Sequence, residues 1–175
     1  MNGDYVLPVA PEAGIVFQGY FPGVIGMITE AHAVYYHENW GFDVSFETQV
    51  GRELSGFIDA FQEDRDGFWT ATAGGEFVGS VAIDGLEATT KGARLRWFIV
   101  VPSFQSTGLG KELLTRAVGF CRQSNYPRVY LWTFKGLEAA RALYEREHFR
   151  LCSEHIVDQW GQTITEQMYE LDFQR

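Results

Sequence analysis

The stretch Ala93-Arg-Leu-Arg-Trp97-Phe-Ile-Val-Val-Pro102-Ser-Phe-Gln105-Ser-Thr-Gly108-Leu-Gly110-Lys111 decides how this chain folds. Its first part ends in Trp-Phe-Ile-Val-Val, a near-continuous apolar run that predicts a strand over 93–101 buried on both faces. Beyond Pro102 the period changes. From 108 to about 124, Leu113, Leu114, Ala117, Val118 and Cys121 recur at helical spacing, and 129–133 (Val-Tyr-Leu-Trp-Thr) returns to strand, completing a βαβ unit. In the intervening turn, glycines allow a ligand close to the main chain. The N–H groups of the first helical turn point outward there, with the positive end of the dipole behind them. Such a turn binds phosphate oxygens. A purely structural glycine turn explains the same spacing. The stretch lacks the third glycine of a dinucleotide fingerprint and the Gly-Lys-Ser/Thr ending of a P-loop.

Outward from this unit, the same rules place the other elements. A short strand over 15–20 stops at Phe21-Pro22-Gly23, and a helix over 24–40 follows, with Ile28, Ala31, Tyr35 and Glu38 on one face and Gly41 as its left-handed cap. Phe46, Val50, Leu54, Phe57, Ile58 and Phe61 mark a second helix over 45–61. Strands over 68–73 and 77–83 flank Gly74-Gly75, the signature of a two-residue hairpin. A helix over 137–147 and strands over 149–157 and 166–173 finish the chain. The order βααβββαβαββ describes an α/β (mixed α+β) fold of about seven strands with helices on both faces. Residues 1–14 read as a mobile N-terminal segment and 15–175 as one domain.

Composition narrows the function. With 46% hydrophobic and 21% charged residues in 175, the chain is globular, and it has no apolar run long enough to cross a bilayer. Nothing resembles a leader peptide, so a cytoplasmic location is expected. Cys121 and Cys152, without Cys-x-x-Cys spacing, read as reduced core thiols and imply neither disulfide nor metal site. The net charge of -9 argues against a nucleic-acid partner. Its distribution is uneven: residues 91–150 hold eleven Lys or Arg and four acids, whereas residues 1–90 hold two basic residues and fourteen acids. The first balance suits a small polyanion and the second a cation; solvated surface charge accounts for both equally well.

Gln-x-x-Gly-x-Gly at 105–110, directly after a strand ending in Val-Val-Pro, resembles motif A of the GCN5-related N-acetyltransferases (GNAT). A second match lies downstream. Ala139-Ala-Arg-Ala-Leu143-Tyr144-Glu-Arg-Glu-His148-Phe149 is similar to that family's A-x-x-L-Y-E-x-x-G-F signature, and the element order above is also the family's. His32-Ala-Val-Tyr35-Tyr-His37-Glu38-Asn-Trp40-Gly41 and Leu131-Trp132-Thr133 resemble the acetyltransferase half of MarR-type regulator fusions. Two positions depart from the family pattern: His148 replaces a glycine, and Leu137 stands where many relatives have an asparagine.

The resemblance implies the GNAT fold and an N-acetyltransferase that moves an acetyl group from acetyl-CoA, without a metal, to a primary amine. The acceptor would be a small molecule, an amino acid, or a protein lysine or N-terminus, attacking directly in a ternary complex. It implies no membrane or nucleic-acid partner, and a homodimer is common in this fold. It assigns cofactor contacts to Ile99, Val100, Val101, Gln105, Ser106, Thr107, Gly108, Leu109, Gly110, Lys111, Thr133, Ala140 and Tyr144, with Tyr144 as general acid for the leaving thiolate. Arg94-Leu-Arg96-Trp97 offers no strand carboxylate as general base. Glu38, His32 and His37 are the candidates, His32 because it lies on the helix that walls the acceptor side in this fold and an imidazole ordinarily titrates near neutral pH. Tyr35, Glu38 and Trp40 would form an acceptor pocket for an ammonium group, with Trp160 and Gln162 on a loop at its entrance. A core aromatic cluster and a hairpin turn explain those residues equally. A catalytically silent acyl-CoA sensor and an acyltransferase for a longer thioester are the alternative functions.

Overall fold

The structure, a computed structural model, describes residues 14–174; the expected mobile segment 1–14 lies outside the described residues but for Gly14. The chain runs β1 (Ile15–Gln18), α1 (Val24–Trp40), α2 (Val44–Asp59), β2 (Gly67–Ala73), β3 (Glu76–Asp84), β4 (Ala93–Val100), α3 (Leu109–Gln123), β5 (Arg128–Phe134), α4 (Glu138–Arg146), β6 (Arg150–Gln159) and β7 (Gln162–Asp172). That is the order the periodicities predict. The sheet has seven strands in the order β1-β2-β3-β4-β5-β7-β6.

All pairings are antiparallel except that of β4 with β5, and this exception makes the site. β4 and β5 are in register only at Ala93↔Val129 and Arg94↔Tyr130, after which they diverge. A bulge in β4 accompanies the divergence: Ser80 pairs with Ile99 and Ala82 with Arg96, and Trp97 takes a left-handed φ of 44°. The bulge redirects the side chains. Ala93 and Leu95 belong to the core under α3, Trp97 joins the core under α1 and α2, and Phe98 and Val100 pack back on the α3 side. β4 therefore alternates buried and half-buried positions, and the expectation of burial on both faces does not hold, because diverging strands leave one edge open.

Three further expectations are corrected. The buried stripe of α1 is Val24, Ile28 and His32, not Ala31, Tyr35 and Glu38. Cys152 is exposed on β6, whose side chains stand mostly in solvent, while Cys121 is buried. The polar stretch near Trp160 is not an extended loop. β6 and β7 continue to a two-residue turn at Trp160-Gly161, where both residues have positive φ (54° and 76°), and the Trp160 carbonyl accepts the Asp43 N–H (3.0 Å) from the α1–α2 connection.

Candidate active site

One cleft of about 1000 Å³ runs through the gap between β4 and β5, from the glycine turn before α3 to an aromatic wall under α1 and α2. At the glycine end the backbone is shaped for an anion. Ser106 and Gly108 both have left-handed φ (63° and 90°), and the first bond into α3 runs from the Glu112 N–H to the Gly108 carbonyl (3.1 Å). The amides of Leu109, Gly110 and Lys111 thus precede the first carbonyl-satisfied position, and no side chain caps them. A Cβ on Gly108 would meet nothing within 4 Å, so the turn faces open space. Gln105 lines the cleft while its amide donates to the Val100 carbonyl (3.2 Å), holding the turn against the strand end.

Tyr144 hangs over the middle of the cleft from α4. It is 5% exposed and wedged among the rings of Phe98, Phe149 and Tyr169 at 5.9–6.0 Å. Burial, with the phenols of Tyr36 and Tyr169 nearby, pushes its pKa well above the ordinary tyrosine value. Its hydroxyl stays protonated at neutral pH and makes no side-chain hydrogen bond to another described residue. The expected signature departure at His148 leaves this placement intact. His148 itself adopts the left-handed φ of 69°, and the Phe149 N–H reaches the Tyr144 carbonyl at 2.9 Å, closing α4.

The wall facing α1 holds Tyr36, Trp40, Phe42, Phe46, Phe134 and Trp160, with ring centroids 5.0–5.7 Å apart in edge-on and stacked pairs. Trp160 is fixed by its indole N–H donating to Gln49 Oε1 (2.9 Å). His32 is buried, and its Nδ1–H donates to the Ile28 carbonyl (2.8 Å), leaving Nε2 as an acceptor. Burial lowers its pKa to about 4, against the partial opposition of that hydrogen bond, so it does not titrate near neutral pH as expected.

Most predicted site residues come together. His32, Tyr35, Trp40, Ile99, Val100, Gln105, Ser106, Gly108, Gly110, Lys111, Thr133, Ala140, Tyr144 and Trp160 all line the cleft. Glu38 and His37 do not: both are exposed and off the cleft, the His37 Nδ1–H donating to the Phe42 carbonyl (2.9 Å), so no ammonium pocket forms from Tyr35, Glu38 and Trp40. Gln162 is also outside, its side chain donating to the Gly41 carbonyl (3.2 Å). The Val101 N–H is taken by the Val78 carbonyl, the Thr107 hydroxyl by the Phe104 carbonyl, and Leu109 is in the core.

The sequence reading missed Tyr36, Arg94 and Arg96, all on the cleft. Two arginines spaced i, i+2 in an otherwise apolar strand were a signal that both point to one face. The carboxylates near that strand come from elsewhere. Glu53 of α2 pairs with Arg96, and Asp84 of β3 lies 3.5 Å from it.

Fold and cleft together define a GNAT-type acetyltransferase domain. The model of the acetyltransferase (GNAT) family matches residues 27–149, and the chain belongs to that family. Solved structures agree on the architecture. A GNAT-family acetyltransferase from Staphylococcus aureus Mu50 superposes with a TM-score of 0.73 at 16% identity, and an acetyltransferase from Streptococcus agalactiae 2603 with 0.74 at 19%; each match covers 91% of this chain and 99% of the other. A candidate acetyltransferase from Salmonella typhimurium, solved with its cofactor acetyl-CoA, gives 0.72 at 14% over 90% of this chain and 93% of its own. At these identities the likeness is one of fold. No curated protein matches the sequence. Among the described residues no helix is long and apolar enough to cross a membrane.

Proposed function

We propose that the protein is an acetyl-CoA-dependent N-acetyltransferase that acetylates a primary amine by direct attack within a ternary complex. The observation that carries this is the through-cleft: an anion-shaped turn at one end, a polar and aromatic chamber at the other, and a protonated phenol between them. In this reading the amides at Leu109–Lys111 hold the diphosphate of the co-substrate, and the open edge of β4 near Ile99 and Val100 lays its thioester arm in the gap. The acceptor nitrogen adds to the acetyl carbonyl carbon, the C–S bond breaks, and Tyr144 donates its proton to the departing sulfur while the nitrogen gives up one proton; the phenolate is then reprotonated from water. His32, neutral throughout, accepts a hydrogen bond from the incoming amine and orients it. With Glu38 outside and His32 so weak a base, that proton goes to water, and the amine must arrive uncharged.

The test is release of free CoA from acetyl-CoA with a panel of amines, alongside titration calorimetry with acetyl-CoA. Turnover that depends on an amine is the expected result, and binding without turnover by any amine would leave the silent-sensor alternative. Tyr144→Phe should lower kcat by about 100-fold with acetyl-CoA affinity changed less than about threefold. An unchanged kcat would remove the phenol from the reaction.

A further inference from the structure

Among the described residues two buried side-chain polar atoms lack a hydrogen-bond partner, Arg94 Nε and Trp40 Nε1, and both belong to residues lining the cleft. Both are donors. Buried donors left unpaired are costly, so each of these needs an acceptor from outside the chain, a water or a ligand atom in the cleft.

Arg94 is the more informative of the two. Its side chain forms no hydrogen bond or ion pair with another described residue, although carboxylates stand close by. Asp84 is its cross-strand partner, but Asp84 Oδ1 accepts the Leu86 N–H (3.1 Å) and Oδ2 faces Arg96 (3.5 Å). Glu53 is likewise committed to Arg96. The acids of this corner thus serve one guanidinium and leave the other free. Arg94 and Arg96 repel each other as well, and the Arg96 pKa is lowered by burial and then by Arg94.

Position separates Arg94 from the phosphate end. Five residues of strand lie between it and Val100, at most about 20 Å at an extended rise and less across the bulge at Trp97, and it points to the α1/α2 face, as Arg96 does in meeting Glu53. A planar fork of donors there matches a carboxylate in two-point geometry. We infer that the acetyl acceptor carries a carboxylate, as a free amino acid does, and that Arg94 binds it in the chamber under α1 and α2. This rests on the acetyltransferase reading above and reverses the preference for a purely cationic acceptor that the acid-rich N-terminal half suggests.

The experiment compares each L-amino acid with its own amide as acceptor, following CoA release, in the wild type, Arg94→Gln and Arg94→Lys, with acetyl-CoA binding by the wild type measured separately. For at least one side chain the acid should exceed the amide by about 100-fold in kcat/KM, and Arg94→Gln should bring that ratio to within about threefold of unity. Arg94→Lys, which keeps the charge and loses the fork, should lower the ratio about tenfold and carries the test if Arg94→Gln does not fold. The inference is overturned if acids and amides react alike, if the ratio survives both substitutions, or if acetyl-CoA binds and no amino acid is consumed. Absence of acetyl-CoA binding would instead bring down the acetyltransferase reading, and this inference with it.

Discussion

His148 occupies a position where the backbone requires φ of 69°, a value that brings the Cβ of an L-residue too near the following carbonyl. It is held there by its own N–H to the Glu145 carbonyl (3.1 Å), by the Phe149 N–H to the Tyr144 carbonyl, and by burial of Phe149 in the core. Replacing it with glycine removes the steric cost and gives back part as backbone entropy. His148→Gly should therefore stabilise the protein by about 1 kcal/mol, read as a higher urea midpoint at constant m-value. An unchanged or lower midpoint would mean that the imidazole contributes packing that offsets the strain. Tyr144 was legible in the sequence because a motif fixes its place on α4. Arg94 was not, because an unpaired guanidinium is defined by what its neighbours are already bonded to, and those bonds reach from α2 and β3.

The turn before α3 combines a conformational demand with a binding one, and two substitutions at Gly108 separate them. At φ of 90° any side chain is strained, so Gly108→Ala and Gly108→Glu should each cost about 1 kcal/mol in chemical denaturation. Since a Cβ there meets open space, the alanine should leave acetyl-CoA binding measurable. The glutamate puts a negative charge where the helix amides point, and calorimetry should register no binding. Equal binding by both variants would disprove the anion role of the turn. The hairpin at Gly74-Gly75, the βαβ unit and the extent of α1 were readable because each rests on local periodicity or a cap. The inward face of α1 was not. Met27 and Val34 are exposed apolar residues on the same helix as the buried His32, so apolar character runs around α1 and does not single out one side. The β6–β7 turn was misjudged for a related reason: exposed strands carry polar residues, and polarity alone does not distinguish them from a loop.

Both faces of the sheet carry a core, and the one under α1 and α2 contains an imidazole whose protonation is linked to folding of the entire chain. His32 titrates near 6.5 when unfolded and near 4 when folded, because burial disfavours its charged form. Between these values the unfolded chain binds more protons than the native one, so stability rises with pH. The contribution is complete above about pH 6.5 and is lost progressively as pH falls toward 4. Going from pH 7.5 to 5.5 should thus lower the unfolding free energy by about 1 kcal/mol through this residue alone. Carboxylates add their own dependence at lower pH, so the informative quantity is a difference. Urea unfolding of the wild type and of His32→Gln at the two pH values should show a smaller pH-dependent loss in the variant, by that same amount. If both proteins lose stability equally, burial does not keep His32 neutral in the folded chain. Turnover carries the opposite expectation. A permanently neutral His32 gives kcat/KM no ionisation of its own near pH 6.5, so the rate between pH 6 and 8 should follow the pKa of the acceptor amine and move with it when acceptors of different basicity are compared. A fixed limb near 6.5, the same for every acceptor, would show that a histidine of the enzyme takes the proton after all.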